Sequence, residues 1–222
     1  MFDQIFGNYL VKTGRITKEQ LSDVIESESK VRVKLGLIAV AEKLMTTEQA
    51  DEVNNLQAIR DRRFGDIAVE KGYLTEAQVG SLLKKQGNIY MIFVQNLIDK
   101  GLMTLEQVDE ALKIYQDQQG FTHSDMDDLV SGDVDRTVRL FLPSNTELCD
   151  KHCGIAIRTF LRIINSGAYV SKAYLTDTLK IDNFAMQQLT GDHNIYAGFA
   201  GIGNSLLTIA NPFADEEFET VD

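Results

Sequence analysis

The chain has 222 residues, of which 44% are hydrophobic and 25% charged, and this excludes a disordered chain, a collagen-like chain and a disulfide miniprotein. Its 22 Lys and Arg stand against 33 Asp and Glu, a net charge of −11. Such a chain is a poor ligand for nucleic-acid phosphates and for anionic membrane surfaces.

No apolar run approaches the ~20 residues that span a bilayer, so no membrane insertion is expected. The N-terminus, Met1-Phe2-Asp3-Gln4, has neither the basic nor the apolar region of a signal peptide. Two cysteines suit a reducing, cytoplasmic compartment. The acid is uneven. Residues 1–120 hold 15 basic and 18 acidic side chains, and residues 121–222 hold 7 and 15. Two unlike parts are expected.

The first part repeats. Thr17, Thr46, Thr75 and Thr104 are 29 residues apart, and so are Gln20, Gln49, Gln78 and Gln107. Thr-x-x-Gln is a capping box, in which hydroxyl and amide satisfy two orphan N–H groups at a helix start. The flanking pairs Ile16 with Leu21 and Leu74 with Val79 are hydrophobic staples. Gly14, Gly72 and Gly101 suit the left-handed position that ends the preceding helix, with Lys43 in the same column. Each unit therefore reads as an αα-hairpin. First helices are predicted over about 4–13, 34–42, 63–71 and 90–100, and second helices from the four threonines. A hairpin cannot bury its apolar stripe alone, so the four are expected to stack as one array over residues 1–116.

Residues 117–137 are polar, acidic and rich in turn formers, and read as a linker. Asp125, Asp127 and Asp128 lack the spacing of a calcium loop. Residues 138–222 change grammar. A helix is expected from Pro143 to about Ser166 and a strand over Ala168–Leu179. A hairpin of strands Asn183–Leu189 and Ile195–Ile202 follows, then a helix Leu206–Ala214 kinked at Pro212. Cys149, His152 and Cys153 lie within one helical turn, and the plain expectation is a buried face, not a metal site.

Arg63-Phe64-Gly65, Ala68, Gly72, Leu74, Val79, Leu83 and Gln86 form the unit that best resembles a known pattern. It is similar to the cyclic di-GMP-binding N-terminal module of type II secretion and pilus ATPases, whose motif is used twice with the same period. The second unit matches in part, through Lys34-Leu35-Gly36, Ala39, Met45 and Gln57, and departs at Lys43 and Asn54. The first has Ile5 and Glu28, and the fourth Ile92, Val94 and Tyr115, at the Arg, Gly and Gln positions. The first expectation is a helical scaffold without nucleotide. The alternative is a cyclic di-GMP effector, with a site of Lys34, Leu35, Gly36, Gln57, Arg63, Phe64, Gly65, Gly72 and Gln86. There, Arg63 would stack on or fork to guanine or phosphate, and Gly65 would admit the ligand close to the backbone.

The second part resembles the CheC/CheX-type chemotaxis phosphatases through Arg158–Asn165, Gly191-Asp192, Gly198-Phe199-Ala200-Gly201, Leu206–Ala210 and Glu216-Glu217-Phe218. That family's catalytic Glu-x-x-Asn pair would follow Asp222, so this partial domain is expected to be a truncated piece of a longer protein. Glu52 and Asn55 have the spacing but read as a solvated helix face. The resulting expectation is an α-helical repeat array of four 29-residue hairpins followed by a partial α+β CheX-like domain. It would serve as a bacterial two-component or chemotaxis signalling scaffold with no catalytic residues, metal or cofactor. It would dock on a response regulator, with homodimerisation as an option and no nucleic acid. An aspartyl-phosphate phosphatase is the alternative for the longer protein.

Overall fold

The computed structural model describes residues 1–142, 155, 158–159, 174, 176–191, 194–214 and 217–220. The chain divides into two compact units, Met1–Leu140 and Phe141–Asp222.

The first unit is helical. Its elements are α1 (Phe2–Lys12), α2 (Lys18–Ser27), α3 (Leu35–Ala41), α4 (Thr47–Arg60), α5 (Phe64–Glu70), α6 (Glu76–Lys85), α7 (Ile89–Asp99), α8 (Leu105–Gln119), α9 (His123–Val130) and α10 (Val134–Arg139). At Thr17, Thr46, Thr75 and Thr104 the hydroxyl accepts from the Gln N–H three residues on. The Gln side chain in turn accepts from the Thr N–H. The preceding helices end alike. Arg15, Leu44, Tyr73 and Leu102 each donate their N–H to the carbonyl five residues back, at 2.9 Å, around a residue with positive φ. That residue is Gly14, Gly72 or Gly101, and in the second case Lys43 at φ 57°. These local bonds produce helical hairpins 1 (α1–α2), 2 (α3–α4), 3 (α5–α6) and 4 (α7–α8).

One column of small residues sets how closely the two helices of a hairpin approach. A Cβ on Gly7 would collide with Leu21, and one on Gly65 would sit 2.7 Å from Val79 Cγ1. A Cβ on Gly36 would meet the Phe64 ring at 3.1 Å and Ala50 Cβ at 3.4 Å. The fourth hairpin carries Val94 there, buried with Val108.

The hairpins do not simply follow one another in a row. Hairpin 2 packs on hairpin 3, α3 against α6 and α4 against α5. Hairpin 1 packs on hairpin 4, α2 against α7 and α1 against both α7 and α8. The outer pair is assembled by aromatic rings: Phe2 meets Tyr90 and Phe93 edge-on at 5.2 and 6.0 Å, and Tyr9 meets Tyr115 at 4.9 Å. Such pairs add about 0.5–1.5 kcal/mol beyond burial. Asn96, buried in α7, donates to Val24 O and to Ser27 Oγ at 3.0 Å, tying hairpin 4 to the end of α2.

The segment 117–137 is not a linker. α8 runs on to Gln119 and is closed by Gly120 at φ 69°. Thr122 and Asp125 then form a further capping box for α9, and Asp133 caps α10. Met126 and Leu129 of α9 and Val138 of α10 are buried, and Asn88 Nδ2 donates to Val130 O at 3.0 Å. The two helices pack on each other. Acidic composition conceals this short apolar stripe.

In the second unit, strands β1 (Asn183–Leu189) and β2 (Ile195–Gly201) pair antiparallel, from Asn183 opposite Gly201 to Leu189 opposite Ile195. A Cβ on Gly198 would run into Ala185 O and Met186 Cα of the neighbouring strand, so this position takes only glycine. The expected helix Leu206–Ala214 is instead a 3-10 turn Gly203–Leu206, a single turn Leu207–Ala210 and a second 3-10 turn Asn211–Phe213 holding Pro212. Tyr174 and 176–179 form no strand, and the sheet has two strands among the described residues. The expected helix from Pro143 lies outside the described residues apart from 155, 158 and 159, which are helical. Cys149, His152 and Cys153 lie outside them too.

Candidate functional site

A cavity of about 620 Å³ lies between hairpins 2 and 3. Arg32, Val33, Lys34 and Leu35 reach it from the entry to α3, Asn54 and Gln57 from α4, Arg63 to Asp66 from α5, and Val79, Leu83 and Gln86 from α6. Much of the lining is paired at 29-residue spacing: Lys34 with Arg63, Leu35 with Phe64, Asn54 with Leu83, Gln57 with Gln86. Positions 29 residues apart on two hairpins thus face one space.

The chemistry of the wall is cationic and amide-rich. Arg32, Lys34 and Arg63 outnumber Asp66, in a chain whose net charge is −11. Arg32 and Arg63 are exposed and have no ion-pair partner among the described residues, and Asn54 and Gln57 have no side-chain hydrogen bond there. Lys34 Nζ is 3.1 Å from Asp99 Oδ1 of α7. Gln86 Nε2 donates to Val33 O at 2.8 Å, which fixes the floor between the hairpins. Two free guanidinium forks and two unengaged amides can bind phosphate oxygens and base edges. No described side chain there has the arrangement of a nucleophile and its base.

The cavity gathers Lys34, Leu35, Gln57, Arg63, Phe64, Gly65 and Gln86 from the expected set. It excludes two glycines. Gly36 faces a neighbouring groove of about 510 Å³, lined also by Leu37, Val40, Ile98 and Met103. Gly72 lies in the α5–α6 turn at φ 72°, with open space where a Cβ would point, so it serves the turn. The close approach at Gly65 is made by Val79, not by a ligand. Phe64 is buried against Gly36 and wedges the two hairpins together.

Arg32, Asn54 and Asp66 also line the cavity and lie outside the set expected from the sequence. Arg32 stands two residues before Lys34, so the alternating Arg-Val-Lys was its signal. Asn54, a departure from the motif, lies on the same helix face as Gln57, three residues on.

The other candidates resolve structurally. Glu52 takes Lys71 Nζ at 2.7 Å and the Tyr73 hydroxyl, and these bonds hold its carboxyl below the usual range. It ties α4 to the α5–α6 turn. Asp125 caps α9 and Asp128 is 3.6 Å from Arg136, and no cluster of metal-binding side chains is present among the described residues. No described helix is long and apolar enough to cross a membrane. Compared with protein-family models, curated proteins and solved structures, the chain matches none.

Proposed function

We propose that the helical unit, read as four copies of a 29-residue hairpin, binds a small dianionic nucleotide of the cyclic di-GMP type between hairpins 2 and 3. The observation that carries this reading is the pairing of Lys34 with Arg63 and of Gln57 with Gln86 around one cavity. A cyclic dinucleotide has two equivalent halves, each with one phosphate and one base. A wall with side chains of like chemistry at equivalent positions of two hairpins fits both halves, Gln86 through its Oε1, since its Nε2 is given to Val33 O. Arg63 and Arg32 fork to phosphate or guanine, and Gln57 presents its amide to a base edge. The volume falls within the ~300–1,000 Å³ usual for small-ligand sites.

On this reading the protein is a bacterial signalling effector. Its second unit docks on a response regulator or another signalling partner, a role supported by the CheC/CheX resemblance of the segment containing β1 and β2. Titration calorimetry with cyclic di-GMP tests the binding. Wild type is expected to give saturable heat and Arg63→Ala a strongly weakened isotherm. No heat from the wild type at millimolar ligand overturns the proposal.

A further inference from the structure

Lys34 belongs to the cavity wall, yet its ammonium is engaged elsewhere. Its Nζ sits 3.1 Å from Asp99 Oδ1. The same Oδ1 accepts Gln95 Nε2 at 2.9 Å, and Gln95 Oε1 accepts the Lys34 backbone N–H at 3.0 Å. The three residues close a ring: Lys34 N–H to Gln95, Gln95 to Asp99, Asp99 to the Lys34 ammonium. Gln95 and Asp99 are both on α7, in hairpin 4, and contribute nothing to the wall of the cavity.

The two halves of the ring differ in strength. Gln95 is 1% exposed, and a buried amide that loses its partners carries the full desolvation cost. It therefore holds the Lys34 backbone firmly. The Lys34 and Asp99 side chains are 62% and 43% exposed, and an ion pair in water is weak. The backbone of Lys34 is thus fixed while its ammonium can exchange partners. An anion in the cavity and the Asp99 carboxylate compete for the same charge.

We infer that Asp99, positioned by Gln95, sets the affinity of the cavity for anions by holding the Lys34 ammonium away from the ligand. Asp99 is a positioning residue supplied by hairpin 4 to a site built by hairpins 2 and 3. The inference rests on the proposed nucleotide site. Asp99→Asn keeps an oxygen for Gln95 Nε2 and removes the competing charge. Lys34 is then free to pair with phosphate.

The test is calorimetry of the full chain with cyclic di-GMP at two salt concentrations, for wild type, D99N, K34M, D66N and D99N/K34M. D99N is expected to bind roughly twofold to fivefold tighter than wild type, with a steeper salt dependence. In the K34M background the D99N gain should vanish, because the ammonium it releases is absent. D66N removes a carboxylate from the wall itself, and its gain should not depend on Lys34. Equal affinities for wild type and D99N, or a D99N gain that persists in K34M, overturn this inference while leaving the site. Absence of binding in wild type, D99N and D66N alike overturns the site and the inference together.

Discussion

The two hairpin pairs of the helical unit share one plan and fill it differently. In the 1–4 pair the equivalent positions hold Ile5 and Ile92, Glu28 and Tyr115. In the 2–3 pair they hold Lys34 and Arg63, Gln57 and Gln86. The first set belongs with a packed aromatic interior, in which Phe2, Phe6 and Phe93 are at most 1% exposed. The second set lines an open cavity. Ile5 and Tyr115 are buried in the 1–4 pair and contribute cohesion, whereas the 2–3 set lines the cavity. One pair therefore serves as the foundation, and the other carries the cavity proposed as the binding site.

The largest effect that separates them is expected at Phe93. Phe93→Ala should cost about 3–5 kcal/mol, read from the denaturant midpoint, because a fully buried ring leaves a cavity. A cost under 1 kcal/mol would break the comparison. Arg63→Ala should do the opposite. It should leave stability within about 0.5 kcal/mol and weaken nucleotide binding about tenfold to a hundredfold, since a charge-assisted fork is lost. Loss of stability without loss of binding would assign Arg63 to packing.

Glu28 sharpens the contrast through pH. Burial, with Asp3 nearby, pushes its carboxyl up to about 7 against the opposing N-terminal ammonium. Its Oε1 is buried without a hydrogen-bond partner among the described residues. The folded chain thus holds this proton more tightly than the unfolded chain, where the carboxyl titrates near 4.5. Its contribution is most favourable below about pH 4.5, declines as pH rises toward 7, and is level above. Glu28→Gln should flatten that decline and stabilise the protein at pH 8 by about 1–2 kcal/mol, allowing for water around the half-buried group. An unchanged pH profile of the unfolding free energy would remove Glu28 from this role. Gln57→Glu, on the exposed cavity wall, should show no comparable slope.

The smallest effect concerns the turns. Lys43 holds φ 57° where Gly14, Gly72 and Gly101 hold the equivalent position. Lys43→Gly should raise stability by up to about 1 kcal/mol, the relief of left-handed strain less the added freedom of the unfolded chain. A lowered denaturation midpoint would contradict that account.

The hairpins were legible because their signals are local. Thr17 and Gln20, or Gly14 and the turn it closes, act within a few residues of each other. The pairing of hairpin 1 with 4 was not legible from the period alone, since every unit carries the same box. The aromatic residues Phe2, Tyr9, Tyr90 and Tyr115 that decide it are spread over more than 100 residues. α9 is hard to read in the sequence because its box uses Asp125 in place of Gln and its buried stripe is only Met126 and Leu129. Of the cavity lining, Lys34, Arg63 and the two glutamines follow from the columns of residues 29 apart. Gly72 occupies a motif position that the cavity does not use, since its φ of 72° serves a turn. Asp99 lay beyond reach because its bond to Lys34 crosses 65 residues.

The proposal is that the 2–3 pair, and not the 1–4 pair, binds the nucleotide. Amide NMR of the full chain during titration with cyclic di-GMP addresses it most directly. Saturable shifts are predicted around Arg32–Lys34, Gln57, Arg63–Asp66 and Gln86, with Phe6, Tyr9 and Tyr115 unmoved. Shifts centred on the aromatic pair, or no saturable shift at any residue, would contradict it.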